Sequence, residues 1–185
     1  MKLLIMDRDG VINEESEEFI KSPDEWHPIK GSLEAIARLS QAGYDVVIIT
    51  NQSGVGRGLL TADTLADIHV RMIDLIRQQG GKVQSILFCP HLPEDDCDCR
   101  KPKTGLYEEL AERLSITFNG VYSVGDSVRD LTAAQRAGAT PVLVKTGNGK
   151  KSAKEIANDK KLGLSDTMIY ESLAKFADAL LTQEG

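Results

Sequence analysis

Positive charge is what this 185-residue chain is short of: 22 Lys and Arg stand against 28 Asp and Glu, a net charge of −6. No basic block stands out, so a nucleic-acid-binding surface has little to build on. Aromatic residues are scarce too, with four Tyr, four Phe and one Trp, which leaves few platforms on which bases could stack. No apolar run approaches the roughly 18 residues of a membrane span. The apolar start of residues 1–6 meets Asp7, Arg8 and Asp9 at once, too soon for the h-region of a secretory signal. Cysteine is also rare. The three present are an odd number packed into residues 89–99 with His91 among them, which suits a metal site in a reducing compartment better than a disulfide framework. The expectation is a cytosolic monomer with neither nucleic-acid nor membrane partners.

What is present is ordinary for a globular protein, 41% hydrophobic and 27% charged. The length suits a single domain over 1–185, whose core would bury about 70% of the unfolded surface. Residues 2–6 are an apolar run that stops at acidic residues, and residues 45–50 repeat it, Val46-Val47-Ile48-Ile49 stopping at Thr50-Asn51. Both predict buried parallel strands. Between them Ser32 can cap a helix with Ile36 and Leu39 on one face, and Gly43 ends it. Thr61 opens a second helix with Leu65, Ile68, Met72, Ile73 and Ile76 at helical spacing, closed by Gly80-Gly81. Strands follow over 83–88, 121–124 and 141–144, with helices over 106–114 and 131–137 between them and a Cys/Pro/Asp/Lys-rich loop over 89–105. Residues 147–151 read as a flexible surface turn. The segment 150–185 reads as an extension on the core, with a short strand over 167–170 and a helix through Leu181 packing on the sheet edge. This alternation predicts an α/β fold, a doubly wound Rossmann-like parallel sheet with helices on both faces.

Ligands of such sheets bind beyond the carboxyl ends of the strands, so Asp7, Asp9, Thr50 and Gly125-Asp126 should converge on one crevice. Asp7 and Asp9, two apart in a continuing strand, would point the same way and crowd two carboxylates together, which a cation or a shared proton must relieve. Asp-x-Asp-Gly alone also reads as a turn. Asp126 and Asp130 add acid at the end of a later strand, enough to hold magnesium, which prefers oxygen ligands and leaves positions open for a phosphate. Cys89, His91, Cys97 and Cys99 form a closed set of three thiolates and one imidazole, so a zinc ion there would be structural and would aim Arg100 and Lys101 into the crevice. From the residues alone, Lys101 and Lys103 cannot be told apart as the cation of the site.

Asp7-Arg8-Asp9-Gly10-Val11-Ile12-Asn13, Thr50-Asn51-Gln52-Ser53-Gly54, Arg100-Lys101-Pro102 and Gly125-Asp126-Ser127-Val128-Arg129-Asp130 match in order the four motifs of the haloacid dehalogenase-like hydrolase superfamily. Cys89-Pro90-His91 followed by Cys97-Asp98-Cys99 resembles its zinc-loop branch, which holds heptose bisphosphate phosphatases of lipopolysaccharide precursor synthesis and histidinol-phosphatase domains. The resemblance covers residues 2–149 or so. It departs from the pattern of many relatives at Lys103-Thr104-Gly105, where they continue with a second proline.

The resemblance implies a magnesium-dependent phosphatase of small phosphorylated sugars, with heptose 1,7-bisphosphate first and histidinol phosphate as the alternative. A phosphorylation-receiver module is a distant reading, since receivers carry their acidic pair on the first strand and the phosphoacceptor on a middle one. By the family pattern Asp7 is the nucleophile, and Asp9 is the general acid and base, its pKa raised by the neighbouring carboxylate. Thr50 and Lys101 stabilise the phosphoryl group. Magnesium sits on the Asp7 and Asp126 carboxylates and the Asp9 carbonyl, with Asp130 orienting the cluster or Lys101. Zinc sits on Cys89, His91, Cys97 and Cys99. No insertion is long enough for a cap domain, so specificity falls to loops: Asn51, Gln52, Ser53, Arg57 and Arg100 toward the sugar or its second phosphate, with Ser16, Glu17 and Phe19 lining the other side.

Overall fold

A computed structural model describes residues 2–183. Six parallel strands form one sheet in the order β3-β2-β1-β4-β5-β6, with β1 Lys2–Met6, β2 Tyr44–Asn51, β3 Ser85–Cys89, β4 Tyr122–Gly125, β5 Thr140–Val144 and β6 Met168–Tyr170. The helices are α1 Ser32–Gln41, α2 Ala62–Gln78, α3 Gly105–Leu114, α4 Val128–Arg136, α5 Gly149–Asn158 and α6 Leu173–Gln183. None of them is long and apolar enough to cross a membrane.

Alternate residues of the continuous apolar strands face opposite sides of a sheet, and each side has its own core. Leu4, Met6, Val46, Ile48, Val142 and Val144 pack with α1, α2 and α6. Leu3, Ile5, Val47, Ile49 and Leu87 pack with α3 and part of α4. Leu143 joins Leu131 of α4 and Ile156 of α5. The result is the expected doubly wound sheet between two helical layers. The C-terminal segment contributes β6, paired to β5, and α6, which packs against α1 and is tied to it by Arg38–Asp178 at 2.6 Å.

Two local expectations need correction. The helix placed at 131–137 begins three residues earlier, because Ser127 and Asp130 form a reciprocal capping box that satisfies the first free amides. The stretch 147–151 is no flexible surface turn. Thr146 donates its hydroxyl to the Gly10 carbonyl at 2.6 Å, the Asn148 amide donates to Asp126 at 2.7 Å, and α5 starts at Gly149.

With β2 on one side of β1 and β4 on the other, the direction of winding reverses between β1 and β4, where a crevice opens beyond the strand ends. Asp7 follows β1 there, Asp126 follows β4, and Thr50 closes β2.

Candidate active site

Asp7 leaves β1 in register with its neighbour, its amide still donating to the Val124 carbonyl at 2.9 Å. The carboxylates of Asp7, Asp126 and Asp130 each bring an oxygen within 4.8 Å of the others. Burial first, then the Asp130 and Asp7 charges, push Asp126 up to about 9. Asp7 rises to about 6 through burial, opposed by Lys101 and reinforced by Asp130 and Asp9. Acids this close and this poorly solvated are the donor set of a hard divalent cation. Asp130 has little left to offer one: Oδ1 accepts from Lys101 Nζ at 2.7 Å, and Oδ2 accepts from the Ser127 amide and hydroxyl at 3.0 and 2.6 Å. Two glycines allow the approach. Gly10 (φ 76°) and Gly147 (φ 54°) have left-handed backbones, and a Cβ on either would run into the Asp126 carboxylate.

The choice between Lys101 and Lys103 is decided by reach. The Lys101 side chain is 2% exposed, and its ammonium donates to the Ile49 carbonyl at 2.8 Å and sits 3.1 Å from Asp7 Oδ1. Burial would lower its pKa, but Asp130 and Asp7 outweigh that and raise it. Lys103 instead pairs with Asp96 on the surface at 2.6 Å. Thr50 is buried at the end of β2, its hydroxyl accepting from Gln52 Nε2 at 3.0 Å.

Asp9 departs from expectation. Its carboxylate lies outside the Asp7 cluster and accepts from Arg8 Nη2 at 2.9 Å, Asn13 Nδ2 at 2.8 Å and Gln52 Nε2 at 2.8 Å. Burial pushes its pKa up, yet the Arg8 charge and these bonds prevail and hold it below the usual carboxylate range. The raised pKa expected from Asp7 is not what the structure gives, because the Arg8 charge, one residue away, outweighs it.

A crevice of about 400 Å³ opens beside Asp9 and is lined by every predicted substrate-side residue: Ser16, Glu17, Phe19, Asn51, Gln52, Ser53, Arg57 and Arg100. Asn51 and Gln52 are engaged with the catalytic-side residues. The Asn51 amide clamps the Lys101 backbone through N–H and C=O at 3.1 Å each, and Gln52 bridges Asp9 and Thr50. Arg57 lies over the Phe19 ring at 5.6 Å. Among the lining residues, Arg129 escaped the sequence reading. Arg129, on the first turn of α4, joins Arg57 and Arg100 around the crevice. Its position inside Gly125-Asp126-Ser127-Val128-Arg129-Asp130 was a usable signal. Burial and then the Arg129 charge depress the pKa of Arg100, as crowded cations do without a counter-ion. Glu15 faces them, pushed up to about 7 by burial and by the Asp9 and Asp7 charges.

Cys89 ends β3, and His91, Cys97 and Cys99 return to it. Cys89 Sγ is 3.6 Å from His91 Nδ1 and 3.6 Å from Cys97 Sγ, Cys99 Sγ is 3.5 Å from Cys97 Sγ, and His91 Nδ1 is 3.2 Å from Cys99 Sγ. Ligands of zinc at 2.0–2.3 Å span tetrahedron edges of about 3.3–3.8 Å, so the four donors already have the dimensions of a zinc site. The loop is tied to the crevice by Gln52 N–H to Cys89 C=O at 2.7 Å and by Arg100 Nη1 to His91 C=O at 3.1 Å.

Comparison with known proteins agrees with this geometry. Residues 98–175 match the HAD-hydrolase-like family profile. The chain is 50% identical over 184 residues, 99% of each chain, to the D-glycero-β-D-manno-heptose-1,7-bisphosphate 7-phosphatase of Bordetella bronchiseptica. It is 48% identical over 179 residues, 97% of each, to the Pseudomonas aeruginosa protein of that name. A crystal structure of the Bordetella bronchiseptica D,D-heptose 1,7-bisphosphate phosphatase, complexed with magnesium and phosphate, superposes with a TM-score of 0.93 over 99% of both chains at 50% identity.

Proposed function

The chain belongs to the D-glycero-β-D-manno-heptose-1,7-bisphosphate 7-phosphatase family of HAD-like hydrolases and is a phosphoric monoester hydrolase; from this premise we propose that it removes the C7 phosphate of heptose 1,7-bisphosphate through a phosphate ester of Asp7, in lipopolysaccharide precursor synthesis. Both relatives and the structural neighbour carry the heptose bisphosphate name, so histidinol phosphate is not favoured. The observation that carries the reading is the two-ended site. A carboxylate backed by a buried lysine stands at one end, and three arginines with no carboxylate partner among the described residues stand at the other, which suits a substrate with a phosphate at each end.

The Asp7 carboxylate attacks phosphorus while the bond to the sugar O7 breaks. Lys101 and Thr50 hold the phosphoryl oxygens, since this chemistry is mainly positioning and electrostatics. Asp9 gives O7 its proton. It then takes one from the water that attacks the acyl phosphate, which returns Asp7 as a carboxylate and frees inorganic phosphate. An incoming dianion beside Asp9 raises its proton affinity toward this role. Magnesium, which the Asp7 and Asp126 carboxylates and the Asp9 carbonyl would hold, supplies neutralising charge to the phosphoryl oxygens when bound. Zinc on Cys89, His91, Cys97 and Cys99 would be structural.

Asp7→Asn should lower kcat by at least about 10³-fold with the circular dichroism spectrum unchanged. Retained turnover would overturn the covalent route. Higher kcat/KM on histidinol phosphate than on heptose bisphosphate would overturn the substrate.

A further inference from the structure

Arg8 lies between the two aspartates and takes no part in the steps above, yet it is 1% exposed. Burying a guanidinium is costly unless its N–H groups find acceptors. Its Nε and Nη2 donate to the Asp9 carboxylate at 3.2, 2.9 and 3.1 Å, and Nη2 also donates to Gln52 Oε1 at 3.0 Å. The remaining arm, Nη1, meets His69 Nε2 at 3.3 Å. A guanidinium can only donate, so Nε2 must accept, which places the ring proton on Nδ1 and leaves the imidazole neutral. Burial, then the Arg8 charge, push His69 down to about 4, in accord with that geometry.

His69 sits on the inward face of α2 among Leu65, Ile68, Met72 and Ile76, where every other residue simply fills the core. Its ring is edge-on to Phe88 at 6.1 Å and 65°, which sets its tilt. A run of contacts therefore leads from α2 through His69 and Arg8 to Asp9, and through Gln52 to Thr50. We propose that His69 is a positioning residue for the acid–base step: it anchors Arg8, and Arg8 holds the Asp9 carboxylate where it can reach the leaving oxygen. This rests on Asp9 being the general acid. Arg8 clamps the carboxylate with two of its nitrogens, and the His69 contact stops that clamp from swinging about the rest of the side chain.

The test separates proton delivery from fold. With enzyme in excess, the first-turnover release of alcohol is measured for heptose bisphosphate, whose alkoxide needs a proton, and for p-nitrophenyl phosphate, whose phenolate does not. Asp9→Asn should slow the sugar far more than the phenol. His69→Leu should follow the same pattern, with a loss of about 10- to 100-fold on the sugar and less than about threefold on the phenol. His69→Gln, which keeps an acceptor oxygen, should restore most of the sugar rate. Arg8→Lys severs the same contact from the other side and should discriminate likewise, which covers the case of a His69→Leu protein that does not fold. If Asp9→Asn slows both substrates equally, Asp9 is not the acid and the underlying reading fails. If Asp9→Asn discriminates while His69→Leu and Arg8→Lys slow both equally or neither, the positioning role is overturned.

Discussion

Lys101 and Glu15 are charged side chains whose surroundings work in opposite directions. Lys101 is buried against two carboxylates and stays cationic, because removing either partner would strand the other charge, at a cost of several kcal/mol (about 3–5). Glu15 faces Asp9 and Asp7, and its pKa of about 7 makes it a switch near neutrality. A raised carboxyl pKa means Glu15 is neutral below about pH 7 and anionic above it. KM for the bisphosphate should therefore climb as pH rises through 7, and Glu15→Gln should flatten that climb; an identical KM profile in the variant would remove Glu15 from the binding site. At this scale the sequence showed much of the chemistry. The convergence of Asp7, Asp126 and Thr50 and the cluster of three Cys and one His were read from residue type and spacing, and their roles from the resemblance to the family. The state of Asp9 was not legible, because Gln52, which bonds it directly, and His69, which meets Arg8 behind it, come from segments far from the Arg8–Asn13 stretch.

Elements place these groups by where they stop. β1 and β4 lead directly into Asp7 and Asp126, β2 ends at Thr50-Asn51, and β3 ends at the first cysteine, so one sheet edge gathers the proposed nucleophile, a hydroxyl and the candidate metal donors. Residues 90–104 hold only a short 3-10 turn, Pro93–Asp95, and are otherwise held by scattered hydrogen bonds such as Gly56 N–H to Pro90 C=O at 3.0 Å. Zinc on Cys89, His91, Cys97 and Cys99 would hold the loop at both ends and fix the directions in which Arg100 and Lys101 leave it. Removing zinc with a chelator should lower both Tm and kcat, and adding zinc back should restore both. A chelated protein with unchanged melting and turnover would show that the loop orders itself. The stretch 147–151 carries the opposite lesson. Its Gly and Asn read locally as a solvated turn, and only the approach of Asp126 and Gly10 makes its first residues, with Thr146, a wall of the site.

Across the whole molecule the net charge of −6 hides a separation of signs. Acids gather at the proposed cation site, and Arg57, Arg100 and Arg129 gather around the crevice proposed for the far end of the substrate. Because three buried carboxylates this close repel one another, magnesium at 100 times its Kd should stabilise the fold by about 2.7 kcal/mol, a rise in Tm of roughly 5–10 °C. Asp126→Asn should lose most of that shift, and an equal shift in the variant would place the ion elsewhere. The sequence by itself determined the doubly wound sheet, since parallel buried strands write themselves as unbroken apolar runs, and it determined the motifs, since each lies within a few consecutive residues. Only the tertiary structure showed that Lys101 reaches Asp7 while Lys103 stays on the surface, that Arg129 lines the crevice, and that Arg8 and His69 stand behind Asp9. Those outcomes depend on side chains distant in the chain meeting in a buried space, where a neighbour's charge outweighs a residue's own preference.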